Sequence, residues 1–127
     1  MEGKEKGDMK KVLVVGSLNM DMVLSVDHHP VPGETIIGDG ITYHPGGKGA
    51  NQAYAVGKLG GDVRIIGCVG WDNNGMILTE NLAQAGVDTT AINRMPEAPT
   101  GMAIIDVDKK GDNSIIVISG ANACLTP

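Results

Sequence analysis

Two short runs in this chain have residue types and spacings suited to ligand chemistry. The first is Gly16-Ser17-Leu18-Asn19-Met20-Asp21, which follows an apolar stretch. Asn19 and Asp21 alternate with Met20, so in extended backbone both side chains point to one face. A carboxylate accepts hydrogen bonds, and an amide both donates and accepts. Such a pair suits vicinal hydroxyls on a sugar. An Asx-rich turn after a strand accounts for the same residues without any ligand. The second run is Pro45-Gly46-Gly47-Lys48-Gly49-Ala50-Asn51-Gln52. Its glycines lead into a predicted helix, whose free N–H groups and dipole attract anions or oxygen-rich ligands. Gly47 lets a ligand touch the backbone, Lys48 adds positive charge, and Asn51 lies on the first turn. A glycine turn with a helix cap explains one of these glycines better than all of them.

Neither run is a common phosphate loop. A Walker A motif needs Ser or Thr after Gly-Lys, where Gly49 stands, and a glycine where Thr42 stands. A dinucleotide fingerprint starting at Gly47-Lys48-Gly49 needs a third glycine where Gln52 stands. Other candidates are weaker. His28, His29 and His44 lack metal-ligand spacing and read as solvated loop histidines. Cys68 lies in an apolar strand and reads as inert core, while Cys124 has no recognisable nucleophile partner. Trp71 follows a strand end and reads as packing, with a ligand crevice as the other option.

The elements that must position these runs follow from periodicity. Lys11 to Ser17 has the pattern of a central parallel strand, buried on both faces. Short strands are predicted at Met22–Val26, Glu34–Ile37 and Ile41–His44, the last two joined by a hairpin turn at Gly38-Asp39-Gly40. A helix over about Gly49 to Leu59 carries small residues on one face and stops at Gly60-Gly61. Asp62–Val69 is a buried strand. Asp72-Asn73-Asn74 caps a second helix over about 74–85, which Gly86 ends. A strand near Ala91–Arg94 precedes the hairpin Thr100–Val107 and Asn113–Ser119. Ile115 to Ile118 is apolar on both faces, which implies a second partner surface. The β-α-β-α portion predicts a parallel sheet, and the hairpins a smaller antiparallel one beside it.

Composition narrows the class. The 127 residues suit one domain with a real core. The net charge of −5 argues against a nucleic-acid binder relying on a positive field. Two cysteines are too few for a disulfide scaffold and fit a reducing, cytoplasmic setting. No apolar run is long enough for a membrane span, and the charged MEGKEKGDMKK start has no signal-peptide character. Glycine is abundant at 19 residues while aromatics are 2%, so an aliphatic core with close backbone approaches is expected.

Taken together, Gly16–Asp21, Pro32-Gly-Glu-Thr35, Gly46–Gln52, Leu59-Gly60, Gly67–Gly70, Thr100-Gly101 and Gly120-Ala-Asn122 resemble the ribokinase branch of the PfkB carbohydrate kinase family. The resemblance runs over residues 11–127 in order. It implies part of a ribokinase-like α/β fold: a parallel central sheet with flanking helices plus a small β-sheet lid. Residues 1–10 would be a disordered tail, and the lid strands would fall at about 22–26, 34–44 and 100–119. It implies ATP-dependent phosphorylation of a sugar, D-ribose to ribose 5-phosphate, with Mg2+ and a monovalent cation (K+). Asn19, Asp21, Gly47, Lys48 and Asn51 match the family's sugar-binding positions. Lids of two subunits interlock in such kinases, which implies a homodimer.

One departure bears on activity. The family's Asp-Thr-x-Gly-Ala-Gly-Asp signature, which supplies the catalytic base and an anion hole, does not occur in this sequence. The chain is therefore expected to be the N-terminal sugar-binding and lid half of a kinase, with no catalytic residue and no metal ligand of its own. A non-catalytic sugar-binding or dimerisation module is the alternative. A generic nucleotide-binding domain is disfavoured by the failed phosphate-loop matches.

Overall fold

The computed structural model describes residues 10–127. The tail expected over residues 1–10 thus lies, apart from Lys10, outside the described residues.

The apolar run at the start forms β1 (Lys11–Val15), and the chain turns at Gly16 into β2 (Asn19–Ser25). β3 (Gly40–Gly46) returns antiparallel along β2 and delivers the chain to α1 (Lys48–Lys58). β4 (Asp62–Gly70), α2 (Asn73–Gln84) and β5 (Ile92–Met95) follow. β6 (Gly101–Val107) and β7 (Asn113–Ile118) form a hairpin, and a 3-10 helix spans Gly120–Cys124. Two sheets result. One is parallel, in the order β1-β4-β5. The other is mixed, in the order β3-β2-β6-β7, with β2 and β6 parallel and the outer pairs antiparallel.

The helices form where small residues and caps allow. Gly49, Ala50 and Ala53 bury one face of α1 so closely that a methyl group on Gly49 would lie 2.8 Å from the backbone of Gly16. α1 ends in a glycine with φ of 83° at Gly60, and the N–H of Gly61 closes the turn onto the carbonyl of Val56. α2 ends likewise at Gly86, φ 89°. The core between sheet and helices is aliphatic, with Leu18, Ile65, Val69, Leu78 and Leu82 essentially out of water.

Several expectations are corrected. Glu34–Ile37 is not a strand, and Gly38-Asp39-Gly40 is not a hairpin turn, because β3 pairs with β2 rather than with the segment just before it. β2 starts at Asn19, so it holds the pair that the sequence placed after β1. β1 is not buried on both faces. It is an edge strand, and only Val14 turns into the core while Leu13 and Val15 are more than half exposed. Trp71 is 68% exposed rather than packed; its Nε1 donates to the carbonyl of Arg94, whose guanidinium lies 5.4 Å from the ring centroid. His44 lies in the predicted strand and is no loop histidine.

Candidate functional site

The centre of β2 carries the pair singled out by spacing. Asn19 and Asp21 alternate with buried Met20 and so share one face of the mixed sheet. Apart from His44, their neighbours on that face are small. Asn19 sits between Gly46 of β3 and Gly101 of β6, and Asp21 sits between His44 and Ala103. A methyl group on Gly46 would lie 2.7 Å from the Asp21 Cγ, and one on Gly101 would lie 2.5 Å from the Asn19 Oδ1. A side chain at position 46 would displace the Asp21 carboxylate, and one at position 101 would also meet the Ser119 carbonyl at 2.8 Å. The result is a polar pair on a floor too small to cover it.

Electrostatics fit an acceptor held for a ligand. Burial pushes the Asp21 carboxyl above the ordinary carboxylate value, and His44 opposite partly offsets this. His44 Nε2 bonds the Thr42 hydroxyl at 3.1 Å. Asn19 is held by Asn122, whose Nδ2 donates to Asn19 Oδ1 at 2.8 Å.

The glycine run places the start of α1 against this pair. Gly47 adopts φ 97°, and a methyl group there would lie 2.6 Å from the carbonyl oxygen of Ser17 and 3.0 Å from the amide of Asn19. The amide of Ala50 donates to Ser17 O, tying the first turn of α1 to the β1–β2 turn. Lys48 is exposed at that N-terminus. Asn51 lines a cavity of about 270 Å3 where α1 and α2 meet β3, with His44, Pro45, Tyr54 and Asn81. No side-chain hydrogen bond joins Lys48 or Asn51 to the β2 pair among the described residues. The structure thus sets Asn19 and Asp21 on one face of β2 and brings Gly47 against the backbone of Asn19. It sets Lys48 and Asn51 on the adjoining helix turn, with His44 as the residue common to both surroundings.

A second cluster holds the two sheets together. Asp72 caps α2 by accepting from the Gly75 amide at 2.8 Å. It also accepts from the Thr100 hydroxyl at 2.6 Å and the Thr100 amide at 2.9 Å, and the Gly70 amide donates to the same hydroxyl. Burial pushes the Asp72 carboxyl up, but these donors outweigh it and hold the carboxyl below its usual value. Thr100 is buried and leads directly into Gly101. The sequence analysis read Asp72 as a cap and missed this link, since a cap motif does not announce its long-range partner. Asn122 likewise shows no chemistry in the sequence.

Among the described residues no three His, Cys, Asp or Glu side chains lie together to hold a metal ion. Nor does the start of α1 have the residues of a nucleotide phosphate loop. Asn19, Asp21, Gly47, Lys48 and Asn51 do not make up a Walker A or a dinucleotide phosphate loop. No helix among the described residues is long and apolar enough to cross a membrane.

A parallel sheet flanked by helices, with a mixed sheet that carries a polar pair on one face of β2, defines a ribokinase-like α/β protein. The family profile "pfkB family carbohydrate kinase" matches residues 9–127, and the chain belongs to that family. It is 47% identical over 119 residues to a ribokinase of Haemophilus influenzae and 43% identical over 119 residues to one of Bacillus subtilis. These alignments cover 93% and 94% of this chain but 39% and 40% of those relatives. The chain thus spans about two fifths of the length of the curated relatives it matches. A structure of an Arabidopsis thaliana ribokinase complexed with ribose and ATP superposes with a TM-score of 0.83 at 35% identity, over 90% of this chain and 37% of that one.

Proposed function

We propose that this chain is the sugar-binding and lid portion of an ATP-dependent sugar kinase that phosphorylates D-ribose to ribose 5-phosphate. The observation that carries this reading is the Asn19–Asp21 pair lying across Gly46 and Gly101 on one face of β2. A half-buried carboxylate beside an amide flanked by two glycines leaves room for a hydroxyl-rich ring and offers it donors and acceptors. The kinship to ribokinases supports ribose as the sugar. Gly47, Lys48 and Asn51 complete the binding set. Gly47 gives backbone approach, and Lys48 and Asn51 offer donors from the first turn of α1.

ATP, Mg2+ and K+ are the cofactors this reading implies. The contribution of this chain, on this reading, is to bind and orient the sugar. On this reading the 127 residues do not transfer a phosphoryl group on their own, since the positioning and charge stabilisation that such transfer needs are not assembled here. The mixed sheet acts as a lid. β7 is exposed and apolar along Ile115–Ile118, which supports a homodimer through the lids. Two free cysteines and the net charge of −5 support a cytoplasmic setting without nucleic acid or membrane as partner.

Equilibrium dialysis of the purified chain against radiolabelled D-ribose, and separately against ATP, tests this. Ribose retained without ATP retained, and no ADP formed when both are present, is the expected result. ATP retained in place of ribose would replace this reading with a nucleotide-binding domain. Ribose-dependent ADP formation would overturn the non-catalytic part.

A further inference from the structure

Asn122 lies more than a hundred residues from Asn19 in sequence, yet its side chain makes its hydrogen bonds entirely at the β1–β2 turn. Leu18 N donates to Asn122 Oδ1 at 3.0 Å. Asn122 Nδ2 donates to Leu18 O at 3.0 Å and to Asn19 Oδ1 at 2.8 Å. The direction of this chain of bonds is forced at its first link. A backbone N–H is only a donor, so the group facing it must be the carbonyl oxygen of Asn122. That sets the Asn122 nitrogen on the other side, where it meets two oxygens and spends both hydrogens. Asn19 must then turn its own oxygen inward. Its Nδ2, with two hydrogens and no protein partner among the described residues, is left on the side away from Asn122, on the strand face that Asn19 shares with Asp21.

From this geometry we infer that Asn122 is a positioning residue that locks the Asn19 amide with its nitrogen toward the ligand, so that the site presents a donor from Asn19 next to an acceptor from Asp21. An unlocked amide would turn over freely and offer an oxygen half the time. Two acceptors side by side cannot serve a hydroxyl that must both give and take a hydrogen bond. The fold shows why the lock can form at all. Gly120, at φ 53°, lets the 3-10 helix start against the carbonyl of Pro99, and glycine at position 101 leaves space for the two amides, since a methyl group there would lie 2.2 Å from Asn122 Nδ2. This inference rests on the reading of Asn19 and Asp21 as the sugar site.

The test has two readouts on the chain as it stands. In side-chain amide spectra of the unliganded protein, both Asn122 hydrogens are protected from exchange and both Asn19 hydrogens exchange freely. The reverse pattern overturns the lock whether or not any sugar binds, so it separates this inference from the functional reading. The second readout is a cycle on D-ribose affinity. Asn122→Asp keeps the acceptor for Leu18 N but cannot donate to Asn19, which then turns its oxygen outward. The expected loss is about tenfold in wild type, the scale of one hydrogen bond, and none in an Asn19→Ala background. An equal loss in both backgrounds assigns Asn122 a general structural role and overturns the lock. If Asn122→Asp does not fold, the exchange pattern of the wild-type amides decides alone.

Discussion

Asp21 illustrates a conflict between stability and function confined to one side chain. Burial raises its carboxyl above the ordinary value of 3.8. The folded state therefore binds the proton more tightly than the unfolded state, and the ionised form detracts from stability. Stability should rise as pH falls through the raised value, while sugar binding, which uses the carboxylate as acceptor, should fall over the same window. Asp21→Asn is expected to melt no lower than wild type at neutral pH and to lose ribose binding. Calorimetric melting beside a ribose titration checks both; a lower melting point with binding intact contradicts the assignment. Gly46→Ala is expected to push the Asp21 carboxylate aside and to lower stability by about 1–3 kcal/mol, the usual range for overpacking, read by urea denaturation. The spacing of Asn19 and Asp21 made the pair legible in the sequence. What it could not show was the floor: Gly46 and Gly101 join only when β3 and β6 flank β2, and those pairings span distant segments.

At the scale of elements, the two sheets are tied together at Asp72 and Thr100. Asp72 ends β4's path, caps α2 and anchors Thr100 at the entrance to β6. Its lowered carboxyl means that its stabilising contribution is present above the ordinary value of 3.8 and is lost as pH falls through the lower folded value. Asp72→Ala removes the cap and leaves the buried Thr100 groups unpaired, and about 2–4 kcal/mol should be lost, from a cap of ~1 and orphaned donors of ~1–3. Urea denaturation measures it; a loss below half a kilocalorie would show that the link is idle. The connection from β2 to β3 is held differently. His28 bonds both Glu34 and Asp27 at 3.0 Å, and Lys109 on the β6–β7 turn also pairs with Asp27. Glu34 first, then Asp27, raise the His28 pKa above 6.5. Its contribution is thus full below 6.5 and declines as pH rises through the raised value. Protection factors of amides over residues 27–34 should fall across that rise and should not in His28→Gln. The helices and the β6–β7 hairpin were legible because caps, glycines and periodicity are local. Glu34–Ile37 misled because β-rich composition does not supply a pairing partner, and His28 holds that segment as a loop instead.

For the molecule as a whole, the pattern of covered and uncovered apolar surface is the main consequence. The parallel sheet buries Val14 and Ile65 under α1 and α2, yet leaves Leu13 and Val15 of edge strand β1 in water. The mixed sheet leaves β7 apolar on both faces. Exposed edges and faces of this kind favour association. Sedimentation should show the chain self-associating, and Ile116→Glu with Ile118→Glu should shift it toward monomer. A wild-type monomer at high concentration would contradict lid pairing. Sequence reading foresaw the exposed hairpin, since Ile115–Ile118 cannot bury two faces against one sheet. β1 reads as central because an apolar run looks alike at the centre and at the edge of a sheet.

The central claim is that a sugar sits on the small-residue floor of β2. A titration of the isotope-labelled chain with D-ribose, followed by backbone amide shifts, tests this most directly. Saturable shifts centred on Asn19, Asp21, Gly46, Gly47 and Gly101 are predicted, and their loss in Asp21→Asn. Saturable shifts confined to other surfaces, or no shifts at ribose concentrations that saturate kinases of this family, would contradict it.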